Sequence, residues 1–127
     1  MKTETFCIDP ATPRPRGKLR IGRITKALKA KLPKIEPGLG TGSYKLRLNG
    51  TFSCCTVGKL SESFGDPGKY LEPAGKDFFG VHRIVNDIIG ENDSFKGTPE
   101  ERLDHMIAWF KAVREAQRER EWDAALS

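Results

Sequence analysis

The feature that most constrains this chain is the start of its last helix. Thr98-Pro99-Glu100-Glu101 places a threonine at the N-cap, a proline at the first helical position and a glutamate at the third. That is a capping box, in which side chains satisfy the N–H groups a helix start leaves unpaired. Leu103, Met106, Ile107, Phe110 and Val113 then recur at helical spacing and give one apolar face. A helix with a single apolar stripe is marginal alone, so the rest of the chain must cover it. Beyond Val113 the residues are almost all polar until Trp122, and the part of the 98–125 helix that continues there is expected to project into solvent or reach a partner. Trp109, Arg114, Arg118 and Trp122 are the candidate partner-binding residues of that helix.

The cover has to come from short elements. Asn49-Gly50 is a two-residue turn signal, and it predicts a hairpin pairing 44–48 with 51–55. A strand is expected near residues 3–8. Ile21, Ile24, Leu28 and Leu32 fall on one face of a helix near 22–32 that Pro33 stops. Val57, Leu60 and Phe64 predict a helix over 55–64 with Gly65 as its cap, and Gly58 inside it implies a close backbone approach. Residues 66–76 read as a surface loop anchored by Tyr70 and Leu71. Val81, Ile84, Val85 and Ile88 predict a helix near 79–89 that Gly90 ends. The expected architecture is a small α+β single domain over residues 1–127, a short hairpin packed against three to four helices with a long C-terminal helix. The 127-residue length admits one modest core.

Charge is distributed very unevenly. The chain carries 22 Lys+Arg against 17 Asp+Glu, a net +5. Residues 14–34 hold nine basic side chains and no acid, so the remainder of the chain is net −4. A segment of this kind attracts phosphates, nucleic acid or an acidic protein face. The plain alternative is a solvated helix face joined to a flexible arm. Residues 10–20 form a Pro/Arg-rich arm that continues into the helix. Arg14, Arg16, Arg20, Arg23, Lys26 and Lys29 are the candidate nucleic-acid- or anion-binding residues. No aromatic residue is interleaved with them, which argues against base stacking on a single strand. No apolar run approaches the roughly 18 residues that span a bilayer, so no membrane partner is expected. The N-terminus shows no secretory apolar stretch, and three cysteines form no disulfide framework, which points to a cytoplasmic setting.

Several groups of residues invite a chemical reading. Pro37-Gly38-Leu39-Gly40-Thr41-Gly42-Ser43 is glycine-spaced but lacks the Gly-Lys-Ser/Thr ending and following helix of a phosphate loop, so it reads as a connection. Cys54 and Cys55 lie at a helix start, where the dipole stabilises a thiolate. With His82, Asn86 and Asp87 downstream, the order Cys, His, Asn/Asp suggests a small cysteine hydrolase. The opposing reading is a pair of buried structural thiols, with no residue assigned as catalytic. Three cysteines with His82 and His105, lacking any paired spacing, give no metal set, and no cofactor is expected. Asn86-Asp87 either bonds the following loop or lines a polar pocket with Asn92.

Two segments carry a likeness. Phe52-Ser53-Cys54-Cys55-Thr56-Val57-Gly58-Lys59-Leu60, then Val85-Asn86-Asp87, then Ser94-Phe95 before a capped helix, resembles a group of small uncharacterised phage and actinobacterial proteins. Members show an aromatic-Cys-Cys-Leu-Gly-x-Leu helix start and an apolar-Asn-Asp turn. The likeness spans residues 52–113; Thr56 stands where the group has leucine, and the basic N-terminal third falls outside it. It implies a phage or mobile-element setting, a mainly helical C-terminal core and structural roles for Cys54, Cys55, Asn86 and Asp87. The expected function is therefore a non-enzymatic binding protein, a phage accessory or host-interaction factor in the host cytoplasm. It would contact an acidic partner, whether nucleic acid, nucleotide or protein surface, through residues 14–34. The alternatives are a protein–protein inhibitor or assembly subunit using the C-terminal helix, and the cysteine hydrolase. The sequence leaves the oligomeric state open, with a homo-oligomer among the options.

Overall fold

A computed structural model describes residues 5–13, 18–42, 45–48, 50–64, 71–72 and 78–126. It shows a small α+β arrangement. In chain order the elements are β1 (Lys18–Leu19), α1 (Ile21–Lys29), β2 (Leu46–Leu48), β3 (Thr51–Ser53), α2 (Thr56–Phe64), β4 (Leu71–Glu72), α3 (Phe78–Ser94) and α4 (Pro99–Leu126). No described helix is long and apolar enough to cross a membrane.

The capping box forms as its residue types dictate: Glu101 N donates to Thr98 Oγ1 at 3.1 Å, and Thr98 N donates to Glu101 Oε1 at 2.9 Å. From that start α4 runs 28 residues. Its stripe forms the middle of the core, with Met106, Trp109, Phe110 and Val113 buried against Ile24 and Leu28 of α1 and Ile84 and Ile88 of α3. Trp109 and Phe110 meet edge to face at 5.4 Å, a geometry that aligns a positive ring edge with a negative ring face.

The hairpin forms in the register the Asn-Gly turn sets, with Leu48 opposite Thr51, Arg47 opposite Phe52 and Leu46 opposite Ser53. Gly50 takes φ +87°, the left-handed conformation such turns need. It is shorter than expected, because Cys54 and Cys55 lie outside the strand. Residues 34–36 lie alongside β3 instead: Phe52 N donates to Lys34 O and Glu36 N to Phe52 O, both at 2.7 Å. A second two-stranded sheet, β1 antiparallel to β4, was not foreseen.

Three boundaries differ from expectation. Residues 5–8 form no strand, because the N–H groups of Cys7 and Ile8 are taken by the Glu91 carboxylate at 3.2 and 2.7 Å; residues 3–4 lie outside the described residues. Helix α1 ends at Lys29, where Ala30 turns extended. Helix α3 continues through Gly90 to Ser94. A Cβ at Gly90 would sit 2.8 Å from Ile8 Cδ1, so this glycine admits the N-terminal segment against the helix rather than ending it. Gly65 and Tyr70 lie outside the described residues.

The polar end of α4 is not left in solvent up to Trp122. Gln117 is buried and accepts Leu19 N at 3.1 Å, and Arg120 donates to the carbonyls of Ala11 and Pro13. His105, Trp109 and Arg120 thus follow the N-terminal arm along one side of the helix, touching Phe6, Ile8 and residues 11–13 in turn.

Candidate functional site

Two places gather charged side chains, and they differ in how open they are. The first is sealed. Glu91 is 0% exposed and accepts Cys7 N, Ile8 N and, at 2.6 Å, His105 Nε2. The His105 ring stacks on Phe95 at 4.3 Å and has Phe6 5.4 Å away. Next to it Asn92, 1% exposed, accepts Thr56 N and Thr56 Oγ1 through Oδ1 and donates to Gly40 O and Asp93 Oδ1 through Nδ2. Arg102 is buried and donates to the carbonyls of Asn92, Leu39 and Phe95 at 2.9–3.1 Å.

These contacts have a common logic. Helix ends leave backbone groups unpaired, and when an end is buried something must satisfy them. Asn92 caps the N-terminus of α2, Arg102 takes a carbonyl in the last turn of α3, and Lys59 caps the C-terminus of α1 by donating Nζ to Ala30 O at 2.6 Å. Lys59 is 2% exposed. Burial holds its pKa below the ordinary 10.5, against the opposing pull of Cys54. The sealed cluster is therefore occupied by the protein's own backbone, and its Glu–His pair is buried beside Phe6 and Phe95.

Cys54 and Cys55 belong to the same interior. Both are buried, and burial is the largest cause raising both pKa values above 9.0. For Cys55 the N–H groups of Gly58 and Val57 pull the other way, which is the helix-start effect the sequence suggested, and desolvation outweighs it. The resulting thiols are protonated at neutral pH and poor nucleophiles. His82 lies on α3, its side chain outside the described residues. Asn86 is exposed and Asp87 half-buried in the middle of α3, so of the proposed polar trio only Asn92 joins a buried network. No group of three potential metal ligands occurs among the described residues.

The second place is open. A cleft of about 320 Å³ lies between the start of α1 and α4, lined by Lys18, Leu19, Arg20, Gly22, Arg23 and Arg114. Among the described lining residues four are cationic and none is acidic. They come from β1, the N-cap position of α1, its first turn and α4. Arg114 pairs at 3.3 Å with Glu121, which lies outside the lining. Helix α1 presents no acidic residue in its first turn and no side-chain hydrogen bond at its cap, leaving the positive end of its dipole unanswered by its own sequence. Gly22 is exposed, and a Cβ built there would meet nothing within 4 Å.

The basic candidates are thereby sorted. Arg20 and Arg23 line the cleft. Lys26 and Lys29 are exposed in the last turn of α1, where they suit the negative end of its dipole and extend the positive ridge away from Arg23. Arg14 and Arg16 lie outside the described residues. Lys18 and Arg114 complete the lining: Lys18 was legible as part of the acid-free run, whereas Arg114 carried no sequence signal linking it to that run.

The partner-binding candidates separate as well. Trp109 is 0% exposed and donates Nε1–H to Ile8 O, so it is a core residue and unavailable to a partner, correcting the sequence expectation. Arg114 faces the basic cleft. Arg118 is exposed beside Glu115, and Trp122 is 66% exposed in a shallow groove with Glu119 and Asp123. No protein-family model matches the chain, and no curated protein or solved structure is significantly similar to it.

Proposed function

We propose that this chain is a non-enzymatic binding protein that holds the phosphates of a nucleic acid or nucleotide in the cleft between α1 and α4. The observation that carries the reading is that Lys18, Arg20, Arg23 and Arg114, drawn from opposite ends of the sequence, line one cleft with no carboxylate among them. The buried cations Arg102 and Lys59 donate to backbone carbonyls, whereas this group lines an open concavity. Cations gathered around an open concavity repel one another, and an anionic ligand relieves that repulsion. The uncapped start of α1 adds backbone N–H groups to the same side.

Fluorescence anisotropy of a labelled oligonucleotide across a salt series tests this. Log affinity should fall linearly with log salt, and Arg20→Ala/Arg23→Ala should flatten the slope by about 1 for each arginine that neutralises a phosphate. Binding that ignores salt, or a double variant that binds unchanged, would contradict the reading. A second reading, a protein–protein contact through the end of α4, rests on the exposure of Trp122 beside Arg118. Truncation after Val113 would also remove Gln117 and Arg120, which hold Leu19 and the arm. Trp122→Ala is therefore the cleaner probe, with the expectation under the lead reading that nucleic-acid affinity is unchanged.

A further inference from the structure

The geometry points to a more selective ligand than a phosphate backbone: we infer that the cleft takes a phosphomonoester, the terminal phosphate of a nucleic-acid strand or of a nucleotide. This rests on the reading that the cleft binds phosphate. A backbone phosphodiester carries one negative charge and two unesterified oxygens, flanked by sugar on both sides. A monoester carries close to two charges at neutral pH and three strong acceptor oxygens on an exposed end. A flat basic surface would match its cations one by one to successive diesters. Here four cations from two distant parts of the chain share a concavity of about 320 Å³, at the small end of ligand-pocket sizes. The ligand that best matches such crowding is one compact dianion reached by several cations at once.

Gly22 provides the entry. It lies in the first turn of α1 and lines the cleft, with open space where a side chain would be, so a phosphate can approach the helix start between Arg20 and Arg23. The same openness means that a larger side chain fits without disturbing the fold. It would occupy the cleft while leaving every charge in place. That separates a shaped site from a diffuse positive field.

The test compares short thymidine oligonucleotides, labelled at the 3′ end and carrying either a 5′-phosphate or a 5′-hydroxyl, with unlabelled thymidine 5′-monophosphate as competitor. The phosphorylated strand should bind about tenfold more tightly, the size of one added charge-assisted contact. The advantage should shrink as pH falls below about 6, where the monoester loses its second charge. Gly22→Leu should abolish the preference with no loss of thermal stability, since leucine suits a helix better than glycine. Arg23→Ala should also abolish it, and covers the case in which Gly22→Leu misfolds. Competition by the mononucleotide as strong as by the phosphorylated strand supports the inference and makes a free nucleotide the source; weak competition with the preference intact supports it with a strand end as the source. Equal, salt-sensitive binding of both strands, or a preference that survives both variants, overturns the inference and leaves the proposed function standing. Absence of binding to either strand at low salt overturns both.

Discussion

The junction of α2, α3 and α4 and the cleft at the start of α1 are both built from charged and polar side chains, yet they use them in opposite ways. At the junction Glu91, Asn92, Arg102 and His105 are buried, and the protein supplies their hydrogen-bond partners from its own chain. At the cleft Lys18, Arg20, Arg23 and Arg114 face a common open space. The contrast teaches that charge density alone does not mark a site. A buried cation answered by three carbonyls, as Arg102 is, holds three chain segments together. Under the proposed function, the open concavity between the cleft cations is the place an anion takes.

The contrast can be broken most forcefully at Glu91. Glu91→Ala leaves His105 and two backbone N–H groups without their acceptor, and urea unfolding should show a loss of about 3 kcal/mol or more, because each stranded buried donor costs roughly 1–3 kcal/mol. A loss below about 1 kcal/mol would mean that the junction does not hold the arm. Asn92→Ala should cost less, about 2 kcal/mol, because it strands the N–H of Thr56 and the carbonyl of Gly40, and the one carboxylate it releases, Asp93, is exposed to water.

The helix-end caps explain what was and was not legible in the sequence. Thr98 and Glu101 lie three residues apart, so their capping box is visible to inspection and forms as expected. Asn92 and Thr56 are 36 residues apart, and Arg102 and Leu39 are 63 apart. Only the folded chain brings such pairs together, and an asparagine or arginine looks the same in sequence whether it caps a distant helix or faces water. The helices, the hairpin register and the basic run follow local periodicity and turn chemistry, and were readable. The α4 side of the cleft was not, because Arg114 joins Arg23 in one lining only through the packing of α4 beside α1. Trp109 shows the same limit from the other side: an aromatic on a helix gives no sign of which face it occupies near the stripe's edge.

Smaller effects sharpen the comparison. Lys59 is charged only at a cost in the native state, since burial lowers its pKa, so between the native value and 10.5 the unfolded chain binds more protons. Native stability should therefore rise, relative to Lys59→Met, as pH increases toward 10.5. Cys54 and Cys55 act in the reverse sense above 9.0, where their raised native pKa values favour the unfolded chain; Lys59 pulls the Cys54 value down, so Lys59→Met strengthens that loss in the variant and moves the difference in the same direction. Unfolding midpoints at a series of pH values check the sign, and a difference independent of pH would show that Lys59 is not held in a desolvated site. At the other end of the scale, Arg23→Ala should change stability by less than about 0.5 kcal/mol while lowering the salt slope of oligonucleotide binding by about 1. A stability loss as large as that of Asn92→Ala would place Arg23 with the structural charges.

The most direct measurement is an NMR titration of the full chain with a 5′-phosphorylated thymidine oligonucleotide at low salt, following backbone amides. If the cleft is the site, the amides of Ile21, Gly22 and Arg23 should shift and saturate together, while those of Thr56, Asn92 and Arg102 stay in place. Shifts centred on Trp122 or on the buried junction, or no shifts at all, would contradict it.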